Sequence, residues 1–177
     1  MCNEGDEHSV REGYDELGVD DFYRKHQEDY SNPHIKIVQE LIHIGVEKGY
    51  INGKILDLCC GSGEVTSSLD GFEITGLDPY TAPVYHKKTG KNALEYTFKD
   101  IAMGKLEGMK FDTIICSFAL HLCEESMLSR VLWRLGEISK CLIILTPHKR
   151  PDCDQIAEWY LVDEIILKRV RMRVYYR

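Results

Sequence analysis

The sequence predicts an α/β fold whose mostly parallel sheet is doubly wound, with helices on both faces and an antiparallel C-terminal strand. Short apolar segments alternate with segments of helical period, which is typical of strand–helix–strand units. The strands are nearly continuous in apolar residues, as in Cys141–Leu145, and this indicates burial on both faces of a parallel sheet. The length of 177 residues fits one domain, and the apolar fraction of 44% is sufficient for a core.

The helices are predicted from apolar residues that recur every three or four positions. They are expected at 19–32, from Ile35 to Gly49, from Gly63 to Leu69 and over Ser126–Ser139. The pair Asn32-Pro33 is a start signal for the second helix, because proline is favoured at the first helical position. Gly49 is a stop signal for the same helix.

The strands are predicted from short apolar runs bounded by turn residues. They are expected at Lys54–Cys60, Phe72–Leu77, Leu94–Phe98, Phe111–Ser117 and Cys141–Thr146, with one bent strand or two segments over Val162–Tyr176. Pro147 closes the fifth strand, since proline has no amide hydrogen to donate. Little room is left for a helix between the fifth strand and the C-terminal strands.

The charge is concentrated in the N-terminal segment. Residues 1–30 carry ten acidic and three basic side chains, which equals the net charge of −7 of the whole chain. Residues 1–18 have no apolar period and are predicted to be flexible, while 19–177 form the domain. An acidic protein is a poor general nucleic-acid binder, so nucleic acid is not the favoured partner.

The last ten residues, 168–177, carry five basic side chains and no acid. Apolar and basic residues alternate along this segment, as in a half-buried edge strand, and edge strands use charge against aggregation. The structural interpretation is therefore favoured over a site for RNA or another polyanion, and both remain open. The sequence predicts no oligomeric state.

Composition also bears on location. No apolar run approaches the roughly 20 residues of a membrane-spanning helix, and the N-terminus lacks the features of a secretory signal. Seven cysteines show no zinc-ligand spacing, and most lie in apolar segments where a free cysteine packs as a small hydrophobe. A reducing cytoplasmic setting is expected, with the nucleus as the alternative. No membrane association and no metal site are expected.

Polar or glycine-rich residues follow each of the first four strands. In an open α/β sheet, ligands bind beyond the carboxyl ends of the strands, where the strand order reverses. The segments are Asp57-Leu58-Cys59-Cys60-Gly61-Ser62-Gly63, Leu77-Asp78-Pro79, Lys99-Asp100-Ile101 and Ser117-Phe118-Ala119-Leu120-His121. Glycines allow close approach of a ligand to the backbone, and carboxylates accept hydrogen bonds from ribose hydroxyls or an exocyclic amine. Each feature alone is common in turns; their ordered occurrence predicts a nucleoside site.

The segment KILDLCCGSG at 54–63 resembles the first motif of class I S-adenosylmethionine-dependent methyltransferases, whose usual form is (I/L)LDLGCGTG. Asp78, Asp100 and the segment SFALHL at 117–122 lie where that family has its second, third and fourth motifs. The resemblance covers about residues 30–147 and implies a Rossmann-like fold with S-adenosyl-L-methionine as cofactor. Cys59 departs from the pattern, since glycine is commonest there.

The resemblance also implies roles for individual residues. Gly61 and Gly63 would hold the methionyl part of the cofactor, Asp78 its ribose and Asp100 its adenine, while Asp57 would orient the loop. The full set of expected cofactor-binding residues is Tyr23, Tyr30, Asp57, Cys59, Gly61, Gly63, Asp78, Pro79, Asp100, Ile101 and Ser117. Tyr23 and Tyr30 belong to it because a helix ahead of the domain often covers the cofactor in related enzymes; packing alone is the equal alternative.

The predicted reaction is methyl transfer to O, N or S of an unidentified acceptor, with a small molecule favoured over RNA or protein. His121 is the candidate catalytic base, because histidine titrates near neutral pH, although a packing role is the more common one. His148 and Arg150 are expected to be solvated. A nicotinamide oxidoreductase is disfavoured, because position 66 is Thr where the G-x-G-x-x-G motif has its third glycine. A non-catalytic partner subunit is the second alternative.

Overall fold

Helices and strands alternate along residues 34–177, the part of the chain that the computed structural model describes. The helices are α1 (Ile35–Glu47), α2 (Glu64–Ser67), α3 (Ala82–Thr89), α4 (Phe98–Ala102) and α5 (Glu125–Ile138). The strands are β1 (Lys54–Leu58), β2 (Glu73–Leu77), β3 (Ala93–Leu94), β4 (Thr113–Ser117), β5 (Cys141–Thr146), β6 (Tyr160–Leu167) and β7 (Val170–Tyr176). The flexible segment expected at 1–18 and the helix expected at 19–32, with Tyr23 and Tyr30, lie outside the described residues.

The strands form one seven-stranded sheet in the order β3-β2-β1-β4-β5-β7-β6. The first five strands of the chain pair in parallel, β7 is antiparallel to β5, and β6 is antiparallel to β7. The strand order reverses between β1 and β4, so the crevice between their carboxyl ends is the expected ligand position. The predicted doubly wound α/β fold with an antiparallel C-terminal strand is confirmed.

Two apolar clusters cover the two faces of the sheet. One contains α1 and α2 residues, including the fully buried Val38 and Leu41. The other contains residues of α4 and α5 and the buried Trp159, whose Nε1 donates a hydrogen bond to the carbonyl of Leu132 at 2.9 Å. Fully burying an aliphatic side chain such as Val38 or Leu41 contributes roughly 1.5–3 kcal/mol to stability. The two clusters therefore hold the helices against the sheet.

The region between β2 and β4 differs from the prediction. Strand β3 ends at Leu94, although the sequence predicted a strand over Leu94–Phe98. The prediction was wrong because Thr97 and Asp100 form a capping box, in which each side chain accepts from the other residue's backbone, and helix α4 begins at Phe98. Helix α3 was not predicted at all, since only Tyr85 on it is buried and its apolar period is weak.

The C-terminal segment forms two strands joined by a turn at Lys168 and Arg169, which both have positive φ. Arg171 and Arg173 pair with Glu164 across β6 and β7, with nitrogen–oxygen distances of 3.1 and 2.8 Å. Residues 147–159 contain no helix, as expected from the short spacing. None of the helices in the described part of the chain is long and apolar enough to cross a membrane.

Candidate active site

A cavity of about 560 Å³ opens at the carboxyl ends of β1, β2 and β4. Its walls come from the loops that follow these strands, from α4 and from the start of α5. The lining residues that the sequence predicted are Asp57, Cys59, Gly61, Asp78, Pro79, Ile101 and Ser117. These residues are far apart in the sequence, and the sheet brings them together because parallel strands end at the same edge.

The loop after β1 forms the floor of the cavity. Cys59 has a left-handed backbone with φ +58°, and Gly61 has φ +52°. A Cβ atom built at Gly61 meets only Glu64 Oε2, at 3.8 Å, so the space above the residue is open. The loop therefore presents bare backbone to a ligand at this point.

Asp78, at the end of β2, connects two loops of the site. Its Oδ2 accepts a hydrogen bond from the N–H of Gly61 at 3.2 Å, and its Oδ1 accepts from the N–H groups of Tyr80 and Thr81 at 2.9 and 3.0 Å. The side chain is buried and also lines the cavity. An acid held in this way presents a fixed carboxylate to hydroxyl groups of a ligand.

Asp57 lies in β1 and is only 1% exposed. Its Oδ2 accepts from the N–H and Oγ1–H of Thr66 at 3.2 and 2.7 Å, whereas its Oδ1 has no hydrogen-bond partner among residues 34–177. Burial raises the pKa of this carboxyl to about 7, and the Thr66 hydrogen bonds offset only part of that rise. A buried carboxylate with an unused oxygen beside a cavity is suited to a cationic ligand group.

Gly63 and Asp100 are not among the residues that line the cavity. Gly63 is buried with φ +90°, and a Cβ atom there would lie 2.5 Å from Thr89 Cγ2, so this glycine is required by the packing of α3 against the loop. The Oδ2 atom of Asp100 accepts from the N–H and Oγ1–H of Thr97, and these bonds lower the pKa of the carboxyl. Both residues were expected to contact the ligand, and the structure gives both a local structural role.

The wall opposite the loop comes from the segment after β4. Phe118 has φ +56° and its N–H donates to the carbonyl of Leu145 at 2.8 Å, which ties the start of the loop after β4 to strand β5. The Phe118 ring stacks on His34, with ring centroids 5.5 Å apart. The beginning of α1 is thereby placed beside the cavity.

His121 lies in a 3-10 turn over Leu120–Leu122, between the lining residues Ala119 and Leu122. Its ring is exposed and forms an edge contact with His148, with centroids 4.8 Å apart. The sequence predicted His121 as a candidate base and His148 as solvated. The structure brings the two imidazoles together at the rim, and His121 is not part of the cavity wall.

Several lining residues were not identified from the sequence. They are Ser62, Glu64, Tyr80, Thr81, Tyr96, Thr97, Phe98, Glu124 and Met127, among others. Ser62, Glu64 and Tyr80 lie within three residues of predicted site residues, so proximity to a strand end is the signal that identifies them. Glu124 and Met127 carry no such signal, since they reach the cavity only through the packing of α5.

The remaining reactive groups of the described residues have structural positions. No group of three or more His, Cys, Asp or Glu side chains within residues 34–177 is arranged to hold a metal ion. The six cysteines of this region are unpaired, and all except Cys59 are buried. Burial raises the pKa of Cys123 and Cys141 to about 11, so these thiols stay protonated at neutral pH.

Comparison with known proteins identifies a family over the part of the chain that forms the cavity. The family model described as "Methyltransferase domain" matches residues 55–140, which include the loops after β1, β2 and β4. The chain is 32% identical over 198 aligned positions to an uncharacterized protein of Schizosaccharomyces pombe, covering 86% of this chain and 79% of that protein. Residues 55–140 belong to the methyltransferase-domain family.

Solved structures of methyltransferases share the fold. Magnesium protoporphyrin IX methyltransferase from Synechocystis PCC 6803, with bound SAH, has a TM-score of 0.64 at 18% identity, and the match covers 97% of this chain and all of that one. The 1,6-didemethyltoxoflavin-N1-methyltransferase of Burkholderia thailandensis has a TM-score of 0.63 at 14% identity, and the match covers 100% of this chain and 92% of that one. These likenesses extend the class I methyltransferase fold beyond the matched residues to both ends of the sheet.

Proposed function

We propose that this chain is an S-adenosylmethionine-dependent methyltransferase that acts on O, N or S of a small-molecule acceptor. The observation that carries the proposal is one cavity lined by the bare backbone of Gly61, by the acids Asp57 and Asp78, and by apolar side chains. Family membership and the likeness to methyltransferases crystallised with SAM or SAH support the same cofactor.

The residues present fit this cofactor part by part. Gly61 offers open space for the amino-acid tail, Asp57 lies beside that space with one unused oxygen, and Asp78 is placed for the ribose hydroxyls. Pro79 and Ile101 supply apolar surface for the adenine ring. Asp100 does not line the cavity and its Oδ2 is bonded to Thr97, so we assign adenine binding to these apolar contacts.

When bound, S-adenosylmethionine supplies a methyl group activated by a sulfonium. The chain's own task is then to align the acceptor with that group and to exclude water. Alignment of two reactants can account for about 7–11 kcal/mol of a reaction barrier. Phe118 and Ala119 in the loop after β4 line the cavity, and His148 in the loop after β5 contacts His121 of the same side, so we assign acceptor binding to this side.

We assign His121 as the base for an acceptor that arrives protonated. Its turn follows the cavity-lining Ala119, and its edge contact with His148 fixes the ring at the rim. A base is required only for such acceptors, because an acceptor atom that carries no proton, such as a phenolate, a thiolate or a thioether, has no proton to remove.

A small-molecule acceptor is favoured by the charge pattern of the C-terminal strands. Arg171 and Arg173 pair with Glu164, and Arg177 pairs with Glu158 at 2.6 Å. The two glutamates therefore offset most of the charge of these three arginines, which reduces their attraction for RNA. The named acceptors of the two structural neighbours described above are also small molecules.

Calorimetry with S-adenosylmethionine tests the cofactor. The wild-type chain is expected to bind it, and Gly61→Val is expected to lose binding because a branched side chain would occupy the open space. Gly90→Val is the matched control, since Gly90 also has a positive φ and no atom within 4 Å of its Cβ position, but lies outside the cavity lining. Wild-type protein without affinity, or equal losses in both variants, would contradict the proposal.

A screen with a tritiated methyl donor tests the acceptor. Metabolite, protein and RNA fractions are offered separately, and label is expected in the metabolite fraction only. Label in RNA or protein would replace the small-molecule assignment. Cofactor binding without transfer to any fraction would favour the non-catalytic partner subunit.

We propose a reducing compartment, with the cytoplasm favoured over the nucleus, because the cysteines of residues 34–177 are all unpaired. Microscopy of the tagged full chain tests this location. Signal confined to an oxidising compartment would contradict it.

A further inference from the structure

Tyr85 of α3 lies under the loop after β1 and has no exposed surface. Two glycines make room for its ring. A Cβ atom at Gly76 in β2 would lie 2.5 Å from Tyr85 Cζ, and one at Gly63 would lie 3.3 Å from its Cδ2. Tyr85 does not line the cavity. Its ring is therefore enclosed between β2 and the loop, and its hydroxyl can reach only interior groups.

A chain of hydrogen bonds runs from Tyr85 to the cavity. The Tyr85 hydroxyl lies 3.0 Å from Thr66 Oγ1, and Thr66 Oγ1–H donates to Asp57 Oδ2 at 2.7 Å. When Asp57 is ionised, the single hydroxyl proton of Thr66 is used on Asp57, so the Tyr85 hydroxyl is the donor in the first bond. The chain is directional: Tyr85 donates to Thr66, and Thr66 donates to Asp57.

We propose that Tyr85 is a positioning residue that, through Thr66, holds Oδ2 of Asp57 inward and so fixes this carboxylate in the cavity wall for the cationic amino group of the ligand. This inference deepens the proposed function and rests on it for the identity of the ligand. The hydrogen-bond chain itself is a property of the protein without ligand. It can therefore be tested separately.

The other groups around Asp57 act against its ionisation. Glu64 on α2 and Asp78 at the end of β2 both raise the pKa of Asp57, as does burial. The Cys60 thiol and the Tyr85 phenol face Asp57 from the loop and from α3, and the carboxylate raises the pKa of both. The Thr66 hydrogen bonds are thus the groups that favour the carboxylate, and Tyr85 strengthens them because linked hydrogen bonds polarise one another.

Titration of the Asp57 carboxyl tests the chain of bonds. The full chain, labelled with carbon-13 at aspartate carboxyls and without cofactor, is followed by NMR in the wild type and in Tyr85→Phe. The wild-type midpoint is expected near pH 7, and Tyr85→Phe is expected to raise it by about half a pH unit. Tyr50→Phe is the matched control, because its hydroxyl donates to Asp163 at 2.8 Å far from the cavity, and it should leave the midpoint unchanged.

Thr66 variants keep the test decisive if Tyr85→Phe fails to fold. Thr66→Val removes the side-chain bond to Asp57 and is expected to raise the midpoint by about one pH unit. Thr66→Ser retains the hydroxyl and is expected to restore the wild-type midpoint. A folded Tyr85→Phe variant with the wild-type midpoint, or a Thr66→Val variant with it, would overturn the proposal.

Binding measurements at pH 7 add the functional consequence. Tyr85→Phe is expected to weaken S-adenosylmethionine severalfold and to leave 5′-methylthioadenosine unchanged, because only the former carries the amino-acid group. Equal weakening of both would show a general structural defect and overturn the positioning role. If the wild type binds neither compound, the proposed function fails, whereas the NMR titration still decides the hydrogen-bond chain.

Discussion

The carboxylate of Asp78 accepts a hydrogen bond from the backbone N–H of Gly61, with 3.2 Å between Oδ2 and N. This bond joins the end of β2 to the loop after β1. The other oxygen of Asp78 accepts from Tyr80 and Thr81. One side chain therefore shapes both loops that line the floor of the cavity, in addition to the role in ligand binding that we propose for it.

Replacement of Asp78 should affect stability and binding together. Asp78→Ala leaves three backbone N–H groups without their acceptor, and we expect the melting temperature to fall by roughly 5–10 °C. Calorimetry is expected to show at least about a 100-fold loss of S-adenosylmethionine affinity, since each charge-assisted bond contributes roughly 1.5–3 kcal/mol. Asp70→Ala, in an exposed turn, is the control and should change neither quantity. An Asp78→Ala protein with wild-type affinity would refute the ribose assignment.

Asp57 predicts a specific pH dependence of stability. Burial raises its pKa to about 7 in the fold, from the 3.8 of an aspartate in water, so the unfolded chain releases this proton at lower pH than the folded chain. Ionisation of Asp57 therefore destabilises the fold increasingly as pH rises from about 4 to 7, by on the order of 4 kcal/mol in total.

Asp57→Asn removes this cost and isolates it from other groups. The melting temperatures of wild type and variant, measured by scanning calorimetry without ligand, should differ least at pH 4. The variant should become the more stable protein as pH approaches 7, and the difference should then level off. The Asp57→Asn variant should also bind S-adenosylmethionine more weakly than the wild type. A constant difference in melting temperature between wild type and variant across this pH range would show that Asp57 does not titrate there.

Gly63→Ala should be more destabilising than Gly71→Ala. Both glycines have similar positive φ values, +90° and +87°, so the backbone strain is matched. Only at Gly63 would the new Cβ lie 2.5 Å from Thr89 Cγ2, whereas at Gly71 it meets nothing within 4 Å. Urea unfolding is expected to show an additional loss of about 1–3 kcal/mol at Gly63.

The same contact supplies a rescue. Thr89→Ser removes the methyl group that blocks the new Cβ and keeps the hydroxyl that donates to the carbonyl of Tyr85. The double variant Gly63→Ala/Thr89→Ser should recover most of the additional loss. If it does not, the steric account of Gly63 is incorrect.

Cys59 should tolerate glycine and reject valine. At φ +58° a side chain destabilises the backbone by roughly 1–2 kcal/mol, and glycine avoids this strain. Glycine also loses more conformational entropy on folding and removes the packing of the thiol, so the two effects oppose each other. Cys59→Gly is therefore expected to melt within a few degrees of wild type and to bind S-adenosylmethionine. A β-branched residue is strongly disfavoured at positive φ, so Cys59→Val should melt well below both. Equal melting of Cys59→Gly and Cys59→Val would argue against a left-handed backbone here.

His121 is expected to govern the pH dependence of transfer to a protonated acceptor. A histidine base loses activity as it becomes protonated below about pH 6.5, so the wild-type rate should fall on the acidic side. His121→Ala should be slower and should lack this acidic limb, as measured by kcat over a pH series. His86→Ala, an exposed histidine of α3, should keep the wild-type profile. An unchanged profile in His121→Ala would remove it as the base.

The order of the elements was largely predictable because it depends on local patterns. The apolar run of β5 and the glycine-rich turn after β1 are readable without knowledge of the fold. Helix α3 and the start of α4 were not predictable in the same way. Tyr85 is the buried residue of α3, so no apolar period marks that helix. The Thr97–Asp100 capping box begins a helix at a point where the apolar pattern predicts a strand.

The candidate site likewise has features that local sequence predicts and features that depend on tertiary packing. The sequence alone determined that acids and glycines follow successive strands, and a parallel sheet necessarily brings strand ends to one edge. It could not distinguish ligand-facing residues from those that support them. Gly63 packs against Thr89, and Asp100 caps α4, although both occupy motif positions.

The fold class and the strand ends that line the cavity could be predicted from the sequence, because hydrophobic period and turn chemistry act between neighbouring residues. The direction and the contacts of each side chain depend on tertiary packing. The hydrogen-bond chain from Tyr85 through Thr66 to Asp57 is the clearest case. Its members come from α3, α2 and β1, and they meet because the sheet and its helices pack at close range, which no local pattern records.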